Sequence, residues 1–92
     1  MKLTLKITVN HASGLHARPA SLFVKTANRY TSQIFVQNLT DNSEISNAKN
    51  ILNVLTLGVN QGHEIEITAE GEDAQEAISA LESLIADNFG EG

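Results

Sequence analysis

The sequence predicts an α+β sandwich, one sheet covered by helices on one side. Three observations lead there. Apolar and polar residues alternate over strand-length stretches. Apolar residues recur at helical spacing in three other stretches. Polar, glycine-bearing turns separate the two kinds in the order β-α-β-β-α-β-α.

Leu3, Leu5, Ile7 and Val9 alternate with Lys2, Thr4, Lys6 and Thr8, which is a half-buried strand. Asn10 to Gly14 interrupts it. From Pro19, apolar residues fall at Ala20, Phe23, Val24 and Ala27, one face of a helix expected to run to about Arg29. Ile34 and Val36 face one side of a second strand, with Gln33, Phe35 and Gln37 on the other. A polar loop, Asn38 to Glu44, leads to a short strand near Ile45. Ser46 or Asn47 is the expected cap of a short second helix. That helix carries Ile51, Leu52, Val54, Leu55 and Leu57 and stops at Gly58, a residue suited to a left-handed terminator. Ile65, Ile67 and Ala69 alternate with polar residues in a last strand. Asp73 and Glu76 have capping-box spacing for a third helix with Ala74, Ala77, Ile78, Leu81, Leu84 and Ile85 on its apolar face. Asn88 to Gly92 reads as a frayed tail.

The chain has 92 residues and no cysteine, so one domain spanning 1–92 is expected, without disulfides or thiolate metal sites. No apolar run approaches the roughly 18 residues of a spanning helix, and the alternating N-terminus is unlike a signal peptide. A soluble, cytoplasmic protein is expected, with no membrane insertion. The formal net charge of −5 argues against nucleic acid as a partner. Nine of the eleven acidic residues lie from Glu64 onward, and all six basic residues lie at or before Lys49. An acidic phosphodonor protein could dock on the basic half; plain solubility is the competing reading.

The densest chemistry lies in Ser13-Gly14-Leu15-His16-Ala17-Arg18-Pro19. An imidazole of unperturbed pKa about 6.5 is a good nucleophile near neutral pH. Helix N-termini carry N–H groups without intrahelical partners and a partial positive charge, so they receive anions. Arginine adds a charged fork that matches phosphate oxygens. These features suit His16 and Arg18 to holding a phosphoryl group. The plainer reading is that His16 only caps or packs. With His16 as N-cap, Ala17, Arg18 and Pro19 form the first turn; proline's preference for the first helical position would make Arg18 the cap instead. Either placement leaves His16 at the positive helix end.

Other chemistries find less support. His11 and His63 lack ligand spacing with His16, and no aspartate or glutamate lies near His16 in sequence, so neither a metal site nor a cofactor is expected. Ser13 and Ser21 are close to His16, but no orienting carboxylate and no strand–serine–helix elbow accompanies them. Gly14 alone does not make a phosphate-cradling loop.

Gly14-Leu15-His16-Ala17-Arg18-Pro19-Ala20 closely resembles the active-site signature of HPr, the histidine phosphocarrier family of the phosphoenolpyruvate-dependent phosphotransferase system. Phe23-Val24-Lys25, Thr31-Ser32, Ala48-Lys49 leading into Leu55-Thr56-Leu57-Gly58, Gln61-Gly62 and Ala69-Glu70-Gly71-Glu72-Asp73-Ala74 continue the resemblance in order. It implies an HPr-like open-faced β-sandwich, a four-stranded antiparallel sheet with three helices on one face. It implies a phosphoryl carrier and not an enzyme: His16 accepts a phosphoryl group on Nδ1 from Enzyme I, Arg18 assists, and EIIA-type sugar components or nitrogen-branch regulators receive it. A monomer is expected. Two departures stand out. Asn50 occupies the place where many members carry a regulatory serine, and the loop from Asn38 to Glu44 is longer than is usual. The tail Phe89-Gly90-Glu91-Gly92 leans toward the nitrogen branch, and the sugar branch stays open.

The expected docking surface is the start of the first helix plus one face of the second: Ser13, Ala17, Ser21, Lys25, Lys49, Asn50, Ile51, Leu52 and Leu55. On a helix of about 3.6 residues per turn, the five apolar residues of the second helix cannot all face the sheet. With Val54 and Leu57 inward, Leu52 and Leu55 point to solvent and Ile51 lies at the border. Neighbouring exposed aliphatics of this kind mark partner sites. A helix buried on both sides is the alternative. The competing functions are a small acyl-phosphate hydrolase, which would release phosphate, and a regulatory module that never carries it.

Overall fold

The computed structural model describes residues Met1–Glu91. The chain runs β1 (Lys2–Thr8), α1 (Ala17–Ala27), β2 (Gln33–Asn38), β3 (Ser46–Asn47), α2 (Ile51–Thr56), β4 (Glu64–Glu70) and α3 (Ala74–Ala86). A 3-10 turn at Asn88–Gly90 follows. The four strands form one antiparallel sheet in the order β1-β4-β2-β3. Among the described residues, no helix is long and apolar enough to cross a membrane.

Register converts the sequence alternation into two unlike faces. One face stacks the rows Leu3–Ala69–Ile34 and Leu5–Ile67–Val36 beneath the helices. The other carries Lys6–Glu66–Gln37 and Thr4–Thr68–Phe35. A slip of one residue would exchange these faces, so the buried rows hold the register. α3 packs on β1, β4 and α1, while α2 packs on α1 and β3. Phe23 of α1 is fully buried in this core and Phe89 nearly so, at 0% and 2% exposure. Burying such a side chain contributes roughly 1.5–3 kcal/mol.

Helix boundaries depart from the sequence expectation for local reasons. α1 ends at Ala27, not Arg29, because the Asn28 side chain caps it. Asn28 Nδ2 donates to Val24 O at 3.0 Å and to Lys49 O at 3.1 Å, tying the end of α1 to the entry of α2. α2 is capped by Asn50, not Ser46 or Asn47: Asn50 Oδ1 accepts from Asn53 N at 3.1 Å. β3 is confined to Ser46–Asn47, just past Ile45, which stays exposed. The loop after β2 is organised by Asn38, which is fully buried. Its backbone bonds Ser43 in both directions, and its Nδ2 donates to Leu57 O at 3.1 Å.

Asp73 is not part of a capping box. Its side chain makes no cap hydrogen bond to α3. The carboxylate reaches back to the start of β2 and accepts from Thr31 N at 2.8 Å, Thr31 Oγ1 at 3.2 Å, Ser32 N at 2.9 Å and the Ser32 hydroxyl. The Ser32 hydroxyl bond and the Thr31 amide bond are the main causes that lower its pKa from 3.8 to about 2. Because the folded value is depressed, the stabilisation is complete above the unfolded value and disappears as pH falls to the folded one. Asp73→Asn should therefore lower the melting temperature near neutral pH. The gap to wild type should close between pH 3.8 and about 2. A gap that persists through this window, in melting curves taken across it, would contradict the assignment.

Candidate functional site

The segment between β1 and α1 is laid against the turn that precedes β4. Val9 N donates to His63 O at 2.9 Å, and Gly62 N to Val9 O at 2.7 Å, carrying the pairing past the end of β1. Leu15 N then donates to Val59 O at 2.9 Å. Gly14 lies against the same carbonyl with φ +65°; a Cβ there would stand 2.1 Å from Val59 O. Only glycine meets both demands, the left-handed backbone and the close approach. Leu15, next in the chain, is fully buried.

His16 follows as the N-cap of α1, extended at φ −129° and ψ 168°, with its side chain making no capping hydrogen bond. Ala17, the first residue of the helix, has φ +50°. That conformation costs an L-residue about 1–2 kcal/mol. The first closing bond, Ala20 N to His16 O, is long at 3.4 Å. The helix therefore opens with a distorted turn. The N–H groups of Ala17 and Arg18 have no acceptor within the helix, and Pro19 has no N–H to offer. His16 is half-buried beside this mouth.

Arg18 is 72% exposed, with Nε 4.0 Å from Oε2 of Glu91. The same oxygen is 3.0 Å from Nε2 of His11. Ser13 N donates to Nδ1 of His11 at 3.0 Å, so the ring's proton lies on Nε2, facing the carboxylate. His11 is buried and meets Phe89 edge to face, with centroids 5.8 Å apart at 85°. The expectation of a frayed tail is thus corrected over the described residues 88–91; Gly92 lies outside them. Phe89 fills the core, and the tail carries a carboxylate to Arg18 that no sequence neighbour of His16 supplies. His11 and Glu91 were absent from the expected site. One signal for them existed: Phe89 falls four residues after Ile85, on the same apolar stripe as α3.

The expected docking residues fall on adjacent elements. Ala17, Ser21 and Lys25 form an exposed i, i+4, i+8 stripe on α1. On α2, Val54 is fully buried and Leu57 is 5% exposed, whereas Leu52 is 68%, Ile51 39% and Leu55 36% exposed. Ser13 is exposed and engaged through its amide with His11. Asn50 is exposed as the α2 cap. Lys49 differs from the rest. It is half-buried, and its Nζ donates to Tyr30 O at 2.6 Å, holding the two helices together.

A four-stranded open sheet with three helices on one face, and a histidine at the mouth of the first helix, is the arrangement that the resemblance to the HPr family implies. The family model "PTS HPr component phosphorylation site" matches residues 3–87. The chain belongs to this HPr family, whose members are phosphocarriers rather than enzymes. It is 45% identical over 84 residues to the multiphosphoryl transfer protein of Haemophilus influenzae, covering 91% of this chain but only 17% of that protein. The crystal structure of HPr-C-His from Thermoanaerobacter tengcongensis superposes with a TM-score of 0.92 at 47% identity, covering 98% of both chains. HPr from Bacillus anthracis superposes at 0.84 with 38% identity, covering 91% of this chain and 96% of that one.

Proposed function

We propose that this chain carries a phosphoryl group on Nδ1 of His16, receiving it from phosphorylated Enzyme I and passing it to an EIIA-type sugar component or a nitrogen-branch regulator. The observation that carries the reading is the placement of His16 as the N-cap of α1, two residues before Arg18, at a distorted helix mouth whose first two amides have no acceptor within the helix. In the transfer, the Nδ1 lone pair forms the new N–P bond. The bond from phosphorus to the donor's nitrogen breaks, and its electron pair stays on the donor. Such a displacement needs positioning and charge neutralisation more than covalent assistance. The arriving oxygens meet the Ala17 and Arg18 amides and the guanidinium. An exposed site with few fixed donors holds phosphate without trapping it, as a carrier requires. In this reading the carrier is a monomeric, cytoplasmic protein forming one domain over residues 1–92.

Enzyme I and the acceptor dock, in this reading, on Ser13, Ala17, Ser21, Lys25, Lys49, Ile51, Leu52 and Leu55. The apolar patch on α2 supports this, because solvent contact of three adjacent aliphatics is unfavourable unless a partner covers them. Asn50 lies at the rim of that surface. It provides the cap that a serine could provide, and it has no hydroxyl for a kinase to modify.

Incubation with phosphoenolpyruvate and Enzyme I should load one phosphoryl group that is acid-labile, base-stable and retained. His16→Ala should keep the melting temperature and lose the label. Release of inorganic phosphate in place of retention would support a hydrolase, and labelling of His16→Ala would remove His16 from the role. Leu52→Glu separates docking from folding. It should weaken binding to Enzyme I by about tenfold or more, the effect of losing a central apolar contact, with little change in melting temperature. A large fall in melting temperature with docking intact would instead make α2 a core element.

A further inference from the structure

We propose that His63 is a positioning residue of the phosphorylation site: Nδ1 of its ring, a shared acceptor, closes the turn against which Gly14 and Leu15 are laid, and so fixes where α1 presents His16. The proposal rests on the carrier reading of His16 and adds a residue that the reading does not use. His63 sits where three segments meet. Its backbone O accepts from Val9 N at 2.9 Å, past the end of β1. Its backbone N donates to Asn60 O at 3.0 Å, which makes residues 60–63 a tight turn. The ring bends back over that turn, and Nδ1 accepts from Asn60 N at 3.1 Å. Asn38 Nδ2, at the end of β2, stands 3.2 Å from the same nitrogen.

Other partners fix the direction of the Asn38 bond. Asn38 is fully buried; its Oδ1 accepts from Asp41 N at 3.2 Å and its Nδ2 donates to Leu57 O at 3.1 Å. Turning the amide over would set oxygen against oxygen at Leu57 and N–H against N–H at Asp41. The amide therefore offers its second N–H to His63, and both groups facing Nδ1 are donors. Nδ1 must present its lone pair, and the ring proton lies on Nε2. Without this ring nitrogen, the buried Asn38 amide and the Asn60 N–H lose an acceptor together.

The same turn carries the site. Val59 O, one residue before it, receives Leu15 N at 2.9 Å. A Cβ on Gly14 would stand 2.8 Å from Asn60 Cα, so Gly14 rests on the first residue of the turn. Gln61 Nε2 adds a bond to Asn10 O at 3.0 Å. A turn that loses its inner acceptor is free to swing away from this strip. His16 follows Leu15 directly and has no side-chain cap bond of its own, so it would move with the strip. His63 thus acts through backbone alone and touches no reacting atom.

The test uses the full chain as wild type, His63→Ala, His63→Asn and His63→Gln. The asparagine oxygen stands as many bonds from Cβ as Nδ1 does, and the glutamine oxygen stands further out. With phosphorylated Enzyme I, His63→Ala and His63→Gln should lower the maximal rate of transfer by about tenfold, below the roughly 100-fold that a misplacement of about 1 Å can cost. The half-saturating concentration should hold, because the aliphatics of α2 are untouched. His63→Asn should recover most of the rate. Amide exchange at Leu15 should follow the same order, faster in His63→Ala and His63→Gln and near wild type in His63→Asn. An unchanged rate in His63→Ala, a loss that His63→Asn shares, or a change confined to the half-saturating concentration overturns the proposal. An Nδ1–H tautomer of His63 in nitrogen NMR spectra of the wild type overturns it without any variant. If the wild type accepts no phosphoryl group, the carrier reading falls, and Leu15 exchange still decides whether His63 holds the strip in place.

Discussion

The contact between Gly14 and the carbonyl of Val59 decides where the helix mouth can be. Any side chain at Gly14 would overlap that carbonyl, and the left-handed backbone there turns the chain directly into the buried Leu15. Leu15 N then bonds the same carbonyl. The start of α1 is thus referred to the turn before β4, and through β4 to the centre of the sheet. His16 is presented by a rigid scaffold although it lies outside any strand and has no side-chain cap bond. Rigid presentation matters to the proposed transfer, because a displacement at phosphorus depends on alignment.

Magnitudes separate what builds this site from what tunes it. Truncating a buried phenylalanine such as Phe23 or Phe89 typically costs about 3–5 kcal/mol. The left-handed backbone at Ala17 costs about 1–2 kcal/mol and is sustained by that core. The Arg18–Glu91 pair, exposed and long, is worth at most about 1 kcal/mol. Core packing and the Gly14 contact therefore set the geometry. Charge near Arg18 can adjust the electrostatics of the site without reshaping it. Leu52, the most exposed aliphatic of α2 at 68%, contributes least to the internal packing of that helix.

Much of this was legible in the sequence because it is local or periodic. Alternation in β1, β2 and β4 gave both faces of the sheet, and helical spacing gave α1 and α3. Helix geometry told only that the apolar residues of the second helix cannot all face the sheet; that Val54 and Leu57 are the inward ones and Leu52 the outward one is shown by their burial. What was misread depends on contacts between distant positions. Asp73 has the local pattern of a cap, yet Thr31 and Ser32 claim its carboxylate because four donors converge there. Asn28 ends α1 early through a bond to Lys49 as well as to its own helix. The tail looked polar enough to fray, but one aromatic residue on the α3 stripe folds it back. His11 shows no pattern of its own; its partners, Ser13 apart, lie some eighty residues away in Phe89 and Glu91.

The chain has three histidines in three different settings, so on the proposed function the ring that takes the phosphoryl group is a direct readout of the site. Nδ1 of His11 is occupied by Ser13 N–H, and Nδ1 of His63 accepts from Asn60 N at 3.1 Å with Asn38 Nδ2 at 3.2 Å. His16 has no such capping bond. Long-range proton–nitrogen NMR spectra of the phosphorylated protein should show the change at Nδ1 of His16 alone, with the tautomers of His11 and His63 preserved. Phosphorylation of His11 or His63, or at Nε2 of His16, would contradict the placement of the reaction at the mouth of α1.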